Sequence, residues 1–266
     1  MSITRELFGK AKKIVLKFGS NTLAGENGRI NNQLLAEIAE QAADLIKQGK
    51  HIVIVSSGAQ LAGLSAMDRW ERKKDIHYRQ ALCAVGQVKL MDAWERAFVP
   101  VGIDIAQLLL TRDDFADNNR TLNMRNTLFT LVDEGIVPII NENDSVSVEE
   151  IKIGDNDTLA ALSAILWSAD LLVLFSDIDG LYDKNPKDYS DAKIIDEVRD
   201  INKVRSAANG KDGGAGEFGT GGIVTKLDAA ERCVSYGIPM ILSHGGNKRA
   251  LEALASGRGQ ATAFLA

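Results

Sequence analysis

The chain has 266 residues, a formal net charge of −5, 45% hydrophobic residues and 25% charged residues. That balance suits a globular protein with a substantial core and gives no global attraction for nucleic acid or an anionic membrane. Cys83 and Cys233 are the only cysteines, too few for a disulfide framework or a zinc ligand set. "MSITRELFGKAKK" lacks the apolar run of a secretory signal, and no later stretch is long and apolar enough to span a bilayer. The chain is therefore read as cytoplasmic.

In chain order, "KIVLKF" (13–18) predicts a strand. "NQLLAEIAEQAADLIKQGK" predicts a helix, with Leu34, Leu35, Ile38, Ala42, Leu45 and Ile46 at helical spacing and Gly49 as its stop. "HIVIVSS" reads as strand, "YRQALCAVGQVKLMDAWERAF" as helix and "DIAQLLLT" as strand. "LNMRNTLFTLVDEG" reads as helix, "IVPIIN" as strand, "DTLAALSAILWSA" as helix and "DLLVLFS" as strand. The last unit is "VTKLDAAERCVSYG" as helix, "IPMILS" as strand and "NKRALEALASG" as helix, with "QATAFLA" closing as an edge strand. The strands are nearly continuous in apolar residues, as expected for parallel strands covered on both faces. The predicted fold is a three-layer α/β/α sandwich with a mainly parallel open sheet, in a single domain over 1–266. Ligands bind such sheets beyond the carboxyl ends of their strands.

The polar clusters lie at those ends. "INENDSVSVEEIKIGDNDTLAA" (140–161) gathers Asn141, Asn143, Asp144, Asp155, Asn156 and Asp157 on either side of a strand-like stretch, Ser145–Ile153. Asn and Asp are default turn formers, so the cluster is either two turns or a polar pocket for a small charged substrate. No Walker phosphate loop occurs. "GAGEFG" (214–219) matches a dinucleotide fingerprint but lacks the preceding strand and is taken as chance. "DIDG" (177–180) places its glycine too early for an EF-hand.

Three glycine loops are better placed: "KFGSNTL" with Lys17, "SSGAQLAG" with Ser56, Ser57 and Gly58, and "GTGGIVTK" with Lys226 one turn into a helix. Glycine lets backbone N–H groups approach an anion, a helix N-terminus favours it, and two lysines could neutralise a phosphoryl group in transfer. Each loop alone reads more readily as an ordinary turn, Lys226 as an exposed helix lysine and Asp157 as a helix-start cap; the joint placement of the loops at strand ends favours function. The three histidines carry no catalytic pattern: His51 starts a strand, His77 falls in a polar loop and His244 follows the last parallel strand.

"KIVLKFGSNTL", "IVIVSSGAQLAG", "VPIINENDSV", "IKIGDNDTLAA", "LLVLFSDIDGLYDKNP" and "GTGGIVTKLDAA" stand in the order found in the amino acid kinase superfamily. The chain resembles most closely its glutamate 5-kinase family, on "NEND" followed by "GDND". The resemblance implies ATP-dependent phosphorylation of the γ-carboxylate of L-glutamate, the first step of proline biosynthesis. It implies a catalytic trio of Lys17, Asp157 and Lys226, with Asp157 orienting the two lysines. ATP would lie against Lys17, Ser176, Asp177, Thr220, Gly221, Gly222, Ile223, Val224, Thr225 and Lys226. Glutamate would lie against Ser57, Gly58, Asn141, Asp144, Asp155 and Asn156, with the 145–153 stretch as a flap. Mg²⁺ would be held mainly by the ATP phosphates and by no protein ligand set.

Proline as a feedback inhibitor, glutamyl-phosphate reductase as a functional neighbour and a homo-oligomer are family-level implications. The C-terminal PUA domain of many glutamate 5-kinases has no counterpart here. Rival readings are another kinase of the superfamily, for acetylglutamate or uridylate, and a non-catalytic nucleotide-binding regulator.

Overall fold

The computed structural model describes residues 2–26, 28–67, 75–147, 156–184, 186, 188–209 and 222–265. The chain opens with helix α1 (Ile3–Lys10), strand β1 (Lys13–Phe18), a single helical turn α2 (Ser20–Leu23) and helix α3 (Asn32–Lys47). Strand β2 (His51–Ser56) leads into helices α4 (Ala59–Met67) and α5 (Ile76–Phe98), then strand β3 (Ile105–Leu110), helix α6 (Asn118–Asp133) and strand β4 (Val137–Glu142). Helix α7 (Asp157–Trp167), strand β5 (Leu171–Ser176), the short strand β6 (Glu197–Val198) and helix α8 (Ile201–Asn209) follow. Helix α9 (Gly222–Ser235), strand β7 (Met240–His244), helix α10 (Ala250–Ser256) and strand β8 (Thr262–Phe264) complete the described elements.

Among the described residues, eight strands form one sheet in the order β3-β4-β2-β1-β5-β7-β8-β6. Every pairing is parallel except β7 with β8. Helices cover both faces, as the apolar strand runs require. One face packs Ile14, Leu16 and Phe18 of β1 with α3, α5 and α10, and the other packs Val15 with α6, α7 and α9. Each fully buried Leu, Ile, Val or Phe contributes about 1.5–3 kcal/mol relative to exposure, so the two cores make the sheet a rigid platform. Among the described residues no helix is long and apolar enough to cross a membrane.

Polar side chains set several helix starts. The Asn31 side chain accepts from Leu34 N, that of Asp75 from His77 N and Tyr78 N, and that of Asp117 from Arg120 N. The α4–α5 crossing is unusually close. A Cβ on Gly86 would stand 1.7 Å from the Ala59 carbonyl oxygen, and one on Gly63 2.0 Å from that of Leu82. Only glycine at both positions allows this approach, which fixes the height of α5 above the sheet.

Two sequence expectations change. "QATAFLA" does not end the sheet, because the two-residue β6 pairs outside β8 and takes the edge. His77 is the second residue of α5 rather than part of a loop, because the Asp75 cap starts that helix. The N-terminal segment, which carried no structural reading, forms α1. Phe8 buries against the first core, and Lys50 Nζ donates to the carbonyls of Phe8 and Ala11.

Candidate active site at the carboxyl ends of β1, β2, β4 and β5

Strand alternation decides which polar groups meet. Side chains two apart on a strand share a face, so Lys17 follows Val15 onto the side covered by α7 and α9. There its ammonium donates to Asp157 Oδ1. From α9, Lys226 Nζ reaches Asp157 Oδ2 at 3.1 Å and also donates to the Gly222 carbonyl at 3.0 Å. Thr225 Oγ1 donates to the same Asp157 oxygen at 3.2 Å. Lys17, Asp157 and Lys226 are 5%, 2% and 8% exposed, so all three charges sit almost out of solvent.

Burial alone would raise the Asp157 carboxyl, but the charges and hydrogen bonds of Lys17 and Lys226 outweigh it and hold it below the ordinary carboxylate range. Two ammonium groups around one carboxylate leave a net positive charge. Such a buried excess is costly unless an anion joins it. The trio by itself carries one positive charge, which suits an anionic ligand.

Asp157 is not the cap of α7. Asn156 occupies the N-cap position without a side-chain cap bond, and Asp157 lies in the first helical turn. Its carboxylate serves the lysines instead. We expect Asp157→Asn to lower turnover and melting temperature together, since removing one partner of a buried ion pair costs about 3–5 kcal/mol. Steady-state rates and a thermal melt check this. A wild-type kcat would leave Asp157 no part beyond helix packing.

One residue before the clamp stands a second polar group, an amide pocket. Asn156 is fully buried and its Nδ2 donates to Ser57 Oγ at 2.9 Å and to Asn141 Oδ1 at 2.8 Å. Asn141 Nδ2 donates in turn to Gln87 Oε1 at 2.8 Å. Alternation again separates neighbours: Ser56 faces the first core, where Trp94 Nε1 donates to its hydroxyl at 2.9 Å, whereas Ser57 faces the pocket. The turn between them and α4 needs Gly58, whose φ of +108° is open to glycine and strained for other residues. Asn156 Oδ1, Asp144 Oδ1 and Gln87 Nε2 are buried and have no hydrogen-bond partner among the described residues. Unpaired buried polar atoms each cost on the order of 1–3 kcal/mol, and a ligand that bonded these three would offset that cost.

Asp144 follows β4 in a turn closed by Val146 N and Ser147 N on the Asn143 carbonyl. Its own carbonyl accepts from Gln80 Nε2 at 3.1 Å. Burial pushes its carboxyl up to about 6, against the pull of a Cys83 hydrogen bond and the Arg79 charge. A pH dependence follows. As pH falls through 6, Asp144 protonates in the empty pocket and loses its attraction for a cation, so the KM of a cationic substrate should rise about tenfold per pH unit. For folding the sign is opposite. A raised carboxyl favours the protonated native state, so this contribution is largest below the unfolded value and fades as pH rises toward 6. A flat KM between pH 5 and 7 would remove Asp144 from substrate recognition.

Ser176 and Asp177 close the far side, at the end of β5. Ser176 Oγ donates to Asp177 Oδ1 at 2.9 Å, and Asn21 Nδ2 to Oδ2 at 3.1 Å. Burial would raise the Asp177 carboxyl, but the Ser176 and Asn21 hydrogen bonds and, more weakly, the Lys226 charge keep it low. Gly222, Ile223, Val224 and Thr225 form the first turn of α9. Asp155, Thr220, Gly221 and the predicted flap beyond Ser147 lie outside the described residues, as does "GAGEFG". Among the described residues, no three or more His, Cys, Asp or Glu form a group that could hold a metal ion.

A family model described as "Amino acid kinase family" matches residues 12–249, nearly the whole chain. This chain belongs to the amino acid kinase family. Curated relatives of this amino acid kinase include proteins named glutamate 5-kinase. The one from Alkaliphilus metalliredigens is 58% identical over 261 residues, covering 98% of both chains. Another, from Caldanaerobacter subterraneus, is 45% identical over 95% of this chain and 68% of its own length. Among solved structures, UMP kinase from Ureaplasma parvum superposes with a TM-score of 0.66 at 15% identity, covering 97% of this chain and 100% of that one. Carbamate kinase from Giardia lamblia gives 0.66 at 14%, covering 96% and 99%. At such identities the two structures establish the shared fold alone.

Sequence reasoning missed three members of this amino acid kinase site, Gln87, Gln80 and Cys83, and the bond from Thr225 to Asp157. The first three lie three or four residues apart on α5, the spacing of one helix face. That polar stripe on a helix otherwise packed on the core was the available signal. Nothing local to "AVGQ" shows what it faces.

Proposed function

We propose that this chain is a glutamate 5-kinase, transferring the γ-phosphoryl group of ATP to the γ-carboxylate of L-glutamate in the cytoplasm. The observation that carries the reading is the adjacency of Asn156 and Asp157. One helix start joins a buried pocket with unfilled acceptors to a clamp with surplus positive charge. Asp144 Oδ1 and Asn156 Oδ1 suit the α-ammonium of a free amino acid, and the clamp suits a phosphoryl group beside its side-chain carboxylate. The high identity to proteins named glutamate 5-kinase supports the same acceptor.

The chemistry needs no general base. The γ-carboxylate is ionised at neutral pH, so its oxygen attacks the γ-phosphorus directly. The bond to the bridging oxygen breaks, ADP leaves with that electron pair, and glutamyl 5-phosphate forms. What the protein supplies is alignment and charge neutralisation. Lys17 and Lys226 face the transferring oxygens, and Asp157 holds both ammonium groups in position. Thr220 to Lys226, with the start of α9, and the Ser176–Asp177 pair would hold the nucleotide. Mg²⁺ bound to the nucleotide phosphates would screen their charge.

The same reading extends to proline as an inhibitor competing for the amino acid pocket, to a reductase that consumes the labile acyl phosphate, and to a homo-oligomer. Trapping the product with hydroxylamine tests the central reaction. Glutamate with ATP should give the hydroxamate and ADP in equal amounts. Turnover of UMP or N-acetylglutamate in place of glutamate would replace the acceptor and keep the clamp. No turnover with any acceptor would favour a nucleotide-binding regulator. Addition of proline at limiting glutamate should slow the reaction, and an unchanged rate would remove that extension.

A further inference from the structure

The hydrogen-bond directions in the amide pocket can be worked out from one backbone group. Glu142 N, which can only donate, bonds Asn141 Oδ1 at 2.9 Å. That oxygen is thereby fixed as an acceptor, and the Asn141 Nδ2 bonded to Gln87 must donate. Gln87 Oε1 accepts it at 2.8 Å, which leaves Gln87 Nε2 as the outward end of the relay. The same logic makes Asn156 Nδ2 the donor to Asn141 Oδ1 and leaves Asn156 Oδ1 outward. The relay thus sorts its ends, an acceptor at Asn156 and a donor at Gln87; with the Asp144 carboxylate oxygen these atoms are buried and without a hydrogen-bond partner among the described residues. Gln87 is 8% exposed, and the glycine crossing at Gly86 and Gly63 gives its helix no room to retreat. One turn before it on α5, Cys83 meets the Asp144 carboxyl, so Gln87 and Asp144 share a wall.

We infer that Gln87 is a specificity-determining residue of the acceptor pocket, its Nε2 donating to the α-carboxylate of the amino acid. This rests on the acceptor reading above. Acceptors for an ammonium beside a donor for a carboxylate match the zwitterionic head of an α-amino acid. A monoamine carboxylate without the α-carboxylate would leave Nε2 unpaired, and the pocket rejects it for that reason.

The test compares L-glutamate with 4-aminobutanoate, which keeps the amine and the distal carboxylate and lacks only the α-carboxylate. In wild-type enzyme glutamate is measured as kcat/KM, and 4-aminobutanoate as an inhibition constant against it. Gln87→Glu at pH 8 keeps an oxygen for Asn141 and replaces the donor by an anion. Gln87→Leu removes both. Each variant should lose about tenfold to a hundredfold in kcat/KM for glutamate, with ATP KM and the 4-aminobutanoate constant within about twofold of wild type. Weakening of both ligands alike, or of neither, overturns the role and leaves Gln87 a prop for Asn141. Wild-type enzyme that binds 4-aminobutanoate as tightly as glutamate overturns it without any variant, which covers the case in which both variants fail to melt cooperatively. Wild-type enzyme inert toward glutamate is a different failure, that of the acceptor reading itself.

Discussion

Alanine at Lys226, or at Lys17, is expected to lower kcat by roughly 10²–10³-fold, the scale seen when one preorganised donor to a transition-state charge is lost. Both ammonium groups are held by Asp157 in a nearly dry site, where an electrostatic interaction is stronger than in water. Their charge matters most when negative charge builds on the transferring oxygens, so the loss should fall on kcat, and glutamate KM should move little. The two lysines share one carboxylate, so their effects should not add. Removing the second after the first should cost less than it does alone. Asp157 keeps one lysine partner in either single variant. Steady-state kinetics of both single variants and the double variant decide the matter. A near-normal kcat for either single variant would mean that lysine neutralises nothing in the transition state.

The second large effect concerns the other side of Asn156. Asp144→Ala should raise glutamate KM well over tenfold with ATP KM nearly unchanged, since truncating one side of a buried charge-assisted pair costs about 2–5 kcal/mol. The pocket around Asp144 offers buried acceptor oxygens at Asp144 and Asn156 for a ligand ammonium. Wild-type enzyme should likewise reject N-acetylglutamate, in which acylation removes the positive charge and leaves Asp144 buried opposite an amide. Initial rates across both acceptors give the ratio. Comparable kcat/KM values would move the assignment to an acetylglutamate-type acceptor and leave the lysine clamp as described. The elevated carboxyl of Asp144 adds a cross-check. The pH dependence of glutamate KM below 6 should vanish in the alanine variant.

Much of this architecture was legible in the residues themselves. Continuous apolar runs such as Leu171–Phe175 can be buried only in a covered strand. Periodic helices between them dictate parallel crossovers, and a parallel sheet places its ligands at the carboxyl ends. Lys17, Ser57 and Asn141 could therefore be named as candidates from their position at the end of a strand, whereas Ser176 came only from the family resemblance. What the chain could not express locally was pairing between segments far apart. Lys17 and Lys226 meet on Asp157 because Val15's face of β1 lies under both α7 and α9.

Ser56 and Ser57 looked alike in sequence, and only the faces of the sheet send one to Trp94 and the other to Asn156. The edge of the sheet fell to Glu197–Val198 because β8 runs antiparallel to β7 and offers its far side to a further strand. Gln87 was invisible for a related reason. Its amide acquires a direction only through Asn141 on β4, 54 positions away and itself oriented by the neighbouring Glu142 backbone N–H. Periodicity and turn chemistry are short-range and can be read along the chain. Hydrogen-bond polarity and charge clamps are set by residues tens of positions apart, and those come together only when the sheet has closed.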